Sequence, residues 1–276
     1  MLEGRTHAAG DIVLETVGLT KIFGGLTAVN SIDLKVHKGE ILSLIGPNGA
    51  GKTTVFNVVT GIYRPEFGQV FFRGERITGK KPHQIVSYGI ARTFQNIRLF
   101  PDMTCRENVM AGRHCRSTSG LLSSIFRTPR QRAEEDMIRE TTEKRLRQVK
   151  LWKSRDELAK NIPYGSQRML EIARALASDP KLLVLDEPSS GLNPRETQDL
   201  MAFLRGIIHE EDLTILLIEH DMNMVMGISD WVVVMDGGRK IAEGIPEDIY
   251  ADQRVIEAYL GKEDEDSTEY DIPAEH

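Results

Sequence analysis

The stretch GPNGAGKTT, Gly46 to Thr54, restricts this chain more than any other. An apolar run, Ile41-Leu42-Ser43-Leu44-Ile45, precedes it, and Val55-Phe56-Asn57-Val58-Val59 follows with a helical reading. The order is strand, glycine loop, helix. The spacing of Gly46, Gly51, Lys52 and Thr53 fits G-x-x-x-x-G-K-[ST]. Glycines let the backbone curl so that successive N–H groups point inward as an anion nest. The helix behind them adds its positive end. Gly46, Pro47, Asn48, Gly49, Ala50, Gly51, Lys52, Thr53 and Thr54 therefore form a candidate phosphate cradle. In it Lys52 reaches the β- and γ-phosphates of a nucleotide, and the Thr53 hydroxyl binds Mg²⁺.

Composition narrows the setting. The chain has 276 residues, enough for a sizeable core in one large or two modest domains. Hydrophobic residues make up 40% and charged residues 28%, the balance of a soluble globular protein. The net charge of −6 comes from one end: Glu263 to His276 holds carboxylates and no Lys or Arg. Without it the body is nearly neutral, which argues against nucleic acid as a partner. That end reads as a solvated, disordered tail over residues 262–276. Cys105 and Cys115 make no CxxC pair and suggest no disulfide, which fits a reducing compartment. His114 beside Cys115 lacks the further ligands of a metal site. No apolar run approaches the roughly 18–20 residues needed to span a bilayer. The first residues lack a signal-peptide core. The expectation is a cytoplasmic protein that meets a membrane through a partner.

Strand patterns occupy both ends of the chain. Ile12 to Val17 and Ile32 to Val36 read as strands, with the turn Phe23-Gly24-Gly25 between them. Gln69 to Phe72 is another, closed by Arg73-Gly74. From about Asn96 to Gln167 strand patterns vanish. Gln131 to Val149 is rich in Glu and Arg and reads as an exposed helix, with Arg139–Glu143 and Glu140–Lys144 four apart and opposite in charge. Buried-type strands return at Lys181 to Leu185 and at Leu213 to Ile218. Trp231 to Met235 and Lys240 to Ala242 flank the hairpin signal Asp236-Gly237-Gly238, and Pro246 to Leu260 reads as short helices. The fold class expected is α/β: a phosphate-loop core of mixed sheet with an antiparallel β subdomain, residues 11–95 and 168–261, and an inserted α-helical subdomain, residues 96–167.

Polar residues at the carboxyl ends of parallel strands meet at one sheet edge, where α/β proteins bind ligands. Here those ends carry Gly46–Thr54, then Asp186-Glu187, then His220. Asp186 would hold Mg²⁺ through water. Glu187, one residue on, is positioned to orient or deprotonate an attacking water. His220 is a candidate γ-phosphate contact.

The order of phosphate loop, Gln95, helical stretch, PYGSQRMLEIARALA, Leu-Leu-Val-Leu-Asp186-Glu187-Pro188 and Ile-Glu-His220-Asp resembles the ATP-binding subunits of ABC transporters. The resemblance covers about Val13 to Gly261. Within that family it is most similar to the LivG type of branched-chain amino-acid importers, through AVNSIDL, ARTFQNIRLFPDMT, EPSSGLNPRETQDL, LLIEHDMNMVMGISD and AYLG. It implies that Phe23 stacks on adenine, that Gln95 touches Mg²⁺ and the attacking water, and that Asn193 belongs to the D-loop. Ile162 to Ser166 stand where the common signature reads LSGGQ, so Gly165 and Ser166 would face a partner's nucleotide. Pro163 replaces the signature serine and offers neither hydroxyl nor N–H. A lost bond to a charged group is worth about 1.5–3 kcal/mol. The site completed by this signature is therefore weakened, unless the variation is tolerated.

The resemblance further implies ATP and Mg²⁺ as cofactors and two nucleotides sandwiched between two ATPase chains, the second a related, LivF-like subunit. Two membrane permease subunits and an external binding protein complete such a system, with this chain peripheral on the cytoplasmic side. Leu99, Phe100 and Met103 are either internal core or the lining of a permease groove. The implied cargo is leucine, isoleucine or valine. An amide or urea importer and a lipopolysaccharide exporter remain as alternatives, since the cargo does not touch this chain.

Overall fold

The computed structural model describes residues 11–114 and 129–266. In chain order the elements are β1 (Ile12–Phe23), β2 (Leu26–His37), β3 (Ile41–Ile45), α1 (Lys52–Val59), β4 (Phe67–Phe72), β5 (Glu75–Arg76), α2 (Pro82–Tyr88) and β6 (Ile90–Arg92). Then come α3 (Cys105–His114), α4 (Pro129–Gln148), α5 (Tyr164–Leu176), β7 (Leu182–Asp186), α6 (Pro194–Glu211), β8 (Thr214–Ile218) and α7 (Met222–Ile228). Last are β9 (Trp231–Asp236), β10 (Arg239–Gly244), α8 (Pro246–Ala251) and α9 (Gln253–Asp266).

The strands form two sheets. One has the order β10-β9-β3-β8-β7-β6, parallel from β9 to β6 with β10 antiparallel at the edge. The other is antiparallel, in the order β2-β1-β4-β5. This is the mixed architecture expected. Side chains of β7 alternate between two cores, as a strand covered on both faces must. Leu182 and Val184 join the layer between the two sheets, with Phe56 of α1 and Leu14 of β1. Leu183 and Leu185 join the opposite layer, against Ile172 of α5 and Leu200 and Leu204 of α6.

Strands β1 and β2 are longer than the alternation suggested. Both are bulged: their register shifts around Thr16 to Leu19, and Gly18 and Ser31 have φ of 58° and 53°. Each bulge inserts a residue and breaks the period of two that marks a strand in sequence. Strand β6 had no such signal, because three residues cannot display a period.

Between β6 and β7 no strand occurs among the described residues. Helix α4 forms as expected, but its charges pair differently: Glu143 meets Arg147 at 2.7 Å and Lys144 meets Glu211 at 2.7 Å. Helix α5 runs across the boundary expected at 167/168, and its two sides face different cores. Leu170 and Ala173 pack with Cys105, Val109 and Leu146, while Ile172 and Leu176 pack on the sheet. Burial pushes the Cys105 thiol up to about 11. Cys115 lies outside the described residues. The acidic tail is not wholly irregular: α9 continues through residues 262–266. Residues 267–276 lie outside the described part.

Candidate functional site

Sheet register puts three strand ends at one level. Leu44 of β3 pairs with Ile218 of β8, and Ile218 pairs with Asp186 of β7. The phosphate loop, Glu187 and Glu219-His220 therefore leave the sheet together at its carboxyl edge. Helix α1 begins at Lys52, three residues earlier than the apolar run suggested, so the loop's lysine already belongs to the first helical turn.

The loop needs its glycines for space as well as for conformation. Gly46 has φ of 145°, and a Cβ there would lie 2.0 Å from the Met235 carbonyl oxygen. Gly51 has φ of 98°, and a Cβ there would meet the Ala28 carbonyl oxygen at 2.3 Å. The Lys52 ammonium is buried and donates to the carbonyls of Gly46 at 2.6 Å and Pro47 at 2.9 Å. Those bonds hold the cation inside the curl, on the side an anion would enter. Thr53 is exposed beside it.

Two of the candidate groups converge on Glu187. Gln95 Nε2 donates to Glu187 Oε2 at 2.9 Å, and His220 Nδ1 stands 3.6 Å from the same oxygen. Glu187 has φ of 47°, uncommon outside glycine. Its N–H donates to the Ile218 carbonyl at 2.9 Å, which holds that turn in place. Backbone strain of this kind concentrates at working sites. A carboxylate held by an amide N–H, with an imidazole beside it, can take a proton from a water placed before it.

Asp186 is buried, and its Oδ2 accepts from Arg92 Nη2 at 2.8 Å. The Thr53 hydroxyl, the Asp186 carboxylate and the Gln95 amide oxygen are hard oxygen donors, the set that suits Mg²⁺ when substrate phosphates and water complete the shell.

Phe23 ends β1 at the hairpin tip and is 39% exposed. It packs edge-on against Tyr63 at 5.2 Å between centroids, and the Lys21 ammonium lies 4.9 Å from its ring centre. Ala28 of the following strand abuts the phosphate loop at Gly51, so this hairpin borders the loop.

Gly165, Ser166 and Asn193 form a separate group. Pro163 is the N-cap of α5 and gives no side-chain bond there. A Cβ at Gly165 would meet Glu196 Oε1 at 2.4 Å. Asn193 caps α6, its side-chain oxygen accepting from the N–H groups of Arg195 and Glu196 at 3.0 Å each. Asn193 therefore has a structural task as the cap of α6. Tyr164 reaches across this group, its hydroxyl donating to the Ser190 carbonyl at 3.2 Å. Leu99 packs into the helical core, whereas Phe100 and Met103 are exposed.

Arg168 joins the two groups. It is fully buried and donates to the carbonyls of Phe94 at 2.9 Å and Gln95 at 2.8 Å, and to Glu171 at 3.1 Å. Burial raises the Glu171 carboxyl, against bonds from the Arg98 N–H and Arg168. Glu219 is fully buried too. It accepts from the N–H groups of Ser189 at 2.8 Å and His220 at 3.1 Å, tying β8's end to the turn after Glu187. Arg92, Arg168 and Glu219 were not among the candidates. Each sits one to four residues from a candidate or beside an apolar run, and only burial distinguishes it from a surface charge.

Residues 29–190 match the family model for ABC transporters. The chain belongs to the ABC transporter family. Residues 239–265 match a second model, that of the branched-chain amino acid ATP-binding cassette transporters. This ABC ATPase is 47% identical over 250 residues to the high-affinity branched-chain amino acid transport ATP-binding protein BraF of Pseudomonas aeruginosa, covering 91% of this chain and 98% of BraF. It is 44% identical to LivG of Escherichia coli K12 over the same shares. A solved ABC-transporter cassette in its ADP conformation superposes with a TM-score of 0.79 at 34% identity, covering 91% of this chain and 99% of that one. The ABC ATPase thus binds nucleotide and hydrolyses ATP as the ATPase component of a transporter. Among its described residues no helix is long and apolar enough to cross a membrane.

Proposed function

We propose that this ABC ATPase energises the import of branched-chain amino acids through partner permeases. The convergence of Gln95 and His220 on Glu187, at the edge from which the phosphate loop springs, carries the catalytic part of this reading. Gly46 to Thr54 cradle the phosphates, with Lys52 on the β- and γ-groups. Phe23 stacks on adenine. Thr53, Asp186 and Gln95 hold Mg²⁺, which when bound offsets phosphate charge. Glu187 takes the proton of the attacking water. His220 orients that water and the γ-phosphate.

Gly165, Ser166 and Asn193 serve the opposite face, completing the site of a second, LivF-like ATPase chain. Closure of such a pair depends on nucleotide, because both faces share its charge, and hydrolysis releases it. The helical part, residues 96–167, receives the permeases on the cytoplasmic side, with Phe100 and Met103 exposed to meet them. The likeness to BraF and LivG supports the branched-chain cargo and, through it, an external binding protein.

Glu187→Gln tests the base. ATP affinity should stay within about twofold while hydrolysis by the purified complex falls roughly 100-fold or more. Hydrolysis at the wild-type rate would remove Glu187 from that role.

A further inference from the structure

Arg92 has no part in the reading above, yet it is among the most enclosed cations in the molecule. It ends β6, three residues before Gln95. Its side chain is 7% exposed and that of its partner Asp186 is 6% exposed. Nη2 donates to Asp186 Oδ2 at 2.8 Å. Nη1 donates to Asn57 Oδ1 at 2.7 Å and to Thr60 Oγ1 at 3.0 Å. The guanidinium also lies over the rings of Phe94 at 5.1 Å and Phe56 at 5.8 Å. Asn57 and Thr60 hang from the helix that opens with Lys52 and Thr53. One planar cation thus clamps the carboxylate at the end of β7 to the helix of the phosphate loop.

The clamp has an electrostatic consequence. A buried carboxylate without a partner pulls strongly on a divalent cation, because little solvent screens it. Arginine keeps its charge at every accessible pH and so cancels most of that pull permanently. We propose that Arg92 is a positioning residue that sets the order of metal entry: it aims Asp186 and compensates its charge, so that Mg²⁺ enters only with the nucleotide's phosphates and not ahead of them. This rests on the assignment of Asp186 to the metal.

The experiment uses Mn²⁺ as a spectroscopic probe on the nucleotide-free full chain. Arg92→Gln should bind Mn²⁺ at least about ten-fold tighter than wild type, and Arg92→Lys, which keeps the charge, should not. Unchanged Mn²⁺ affinity in Arg92→Gln overturns the proposal, as does an equal gain in Arg92→Lys. Should Arg92→Gln not fold, two variants that neutralise the buried Asp186 carboxylate decide through the ratio of ADP affinities with and without Mg²⁺. Asp186→Asn should lower that ratio, since the cation stays and the carboxylate goes. Arg92→Gln/Asp186→Asn should recover it at least about threefold. Equal ratios in the single and double variants overturn the role of Arg92. A wild-type ratio in Asp186→Asn instead removes Asp186 from the metal, and the inference with it.

Discussion

The carboxyl edge of the six-stranded sheet and the helical layer beside it are held by different chemistry. At the edge, position comes from main chain: strand register aligns Leu44, Ile218 and Asp186, and backbone carbonyls hold Lys52. In the helical layer, position comes from buried or half-buried charges. Arg168 grips the backbone around Gln95, and Arg145 grips Glu211 of α6 from α4. Lys52, held only by backbone carbonyls, and the partly exposed Glu187 can therefore be changed with the fold intact and the chemistry lost. Buried charges in the helical layer cannot, because removing one leaves its partner buried with less compensation.

Lys52→Ala is the sharpest test of this contrast. Hydrolysis should fall roughly a thousand-fold, while Tm moves by no more than about 3 °C, the shift of about 1 kcal/mol in a chain of this size. A Tm loss as large as that of an Arg168 variant would erase the distinction. Arg168→Met should destabilise the fold by about 3–5 kcal/mol in denaturant unfolding, since Glu171 loses its ion-pair partner in the core. If it unfolds at the wild-type midpoint, the helical layer is not charge-held.

Two carboxylates sharpen the comparison with smaller effects. Burial works against the Glu211 charge, but bonds from Arg145, Lys144 and Gln148 outweigh it and hold the carboxyl down at about 2, from an ordinary 4.5. Its folded value is depressed, so the stability it contributes is complete above about pH 4.5 and is lost as pH falls toward 2. Glu211→Gln should cost about 2 kcal/mol at pH 7 and flatten the acid limb of the stability curve. Glu40 lies on the sheet side, ahead of the phosphate-loop strand, and behaves in the opposite sense. Burial, with Asp230 nearby, pushes it up to about 7 despite an N–H bond from His37. Between pH 4.5 and 7 the unfolded chain loses that proton first, so stability declines as pH rises through this window. Glu40→Gln should remove the slope and stabilise the chain by about 1–2 kcal/mol at pH 8. A variant whose melting temperature keeps the wild-type pH slope would assign that slope elsewhere.

What was legible in sequence follows the same division. Lys52 is marked by the spacing of the glycine loop, and Asp186, Glu187 and His220 stand within two residues of the ends of apolar runs, where a short strand announces itself and its end marks the edge. The bulged β1 and β2 were legible only in part, because Gly18 and Ser31 interrupt the alternation. Arg92, Arg168 and Glu219 were not legible as site residues, since a charge looks the same in sequence whether it is solvated or enclosed.

By itself, then, the amino-acid order determined the phosphate loop, the strands that deliver its acids and the α/β class, because spacing and periodicity are local properties; the family came from the resemblance of whole stretches to known members. The tertiary structure alone decided that Arg92 clamps Asp186 to α1, that Arg168 holds the backbone around Gln95, and that α5 serves two cores at once. Those facts depend on which distant groups share a low-dielectric interior, and burial is a property of the packed whole.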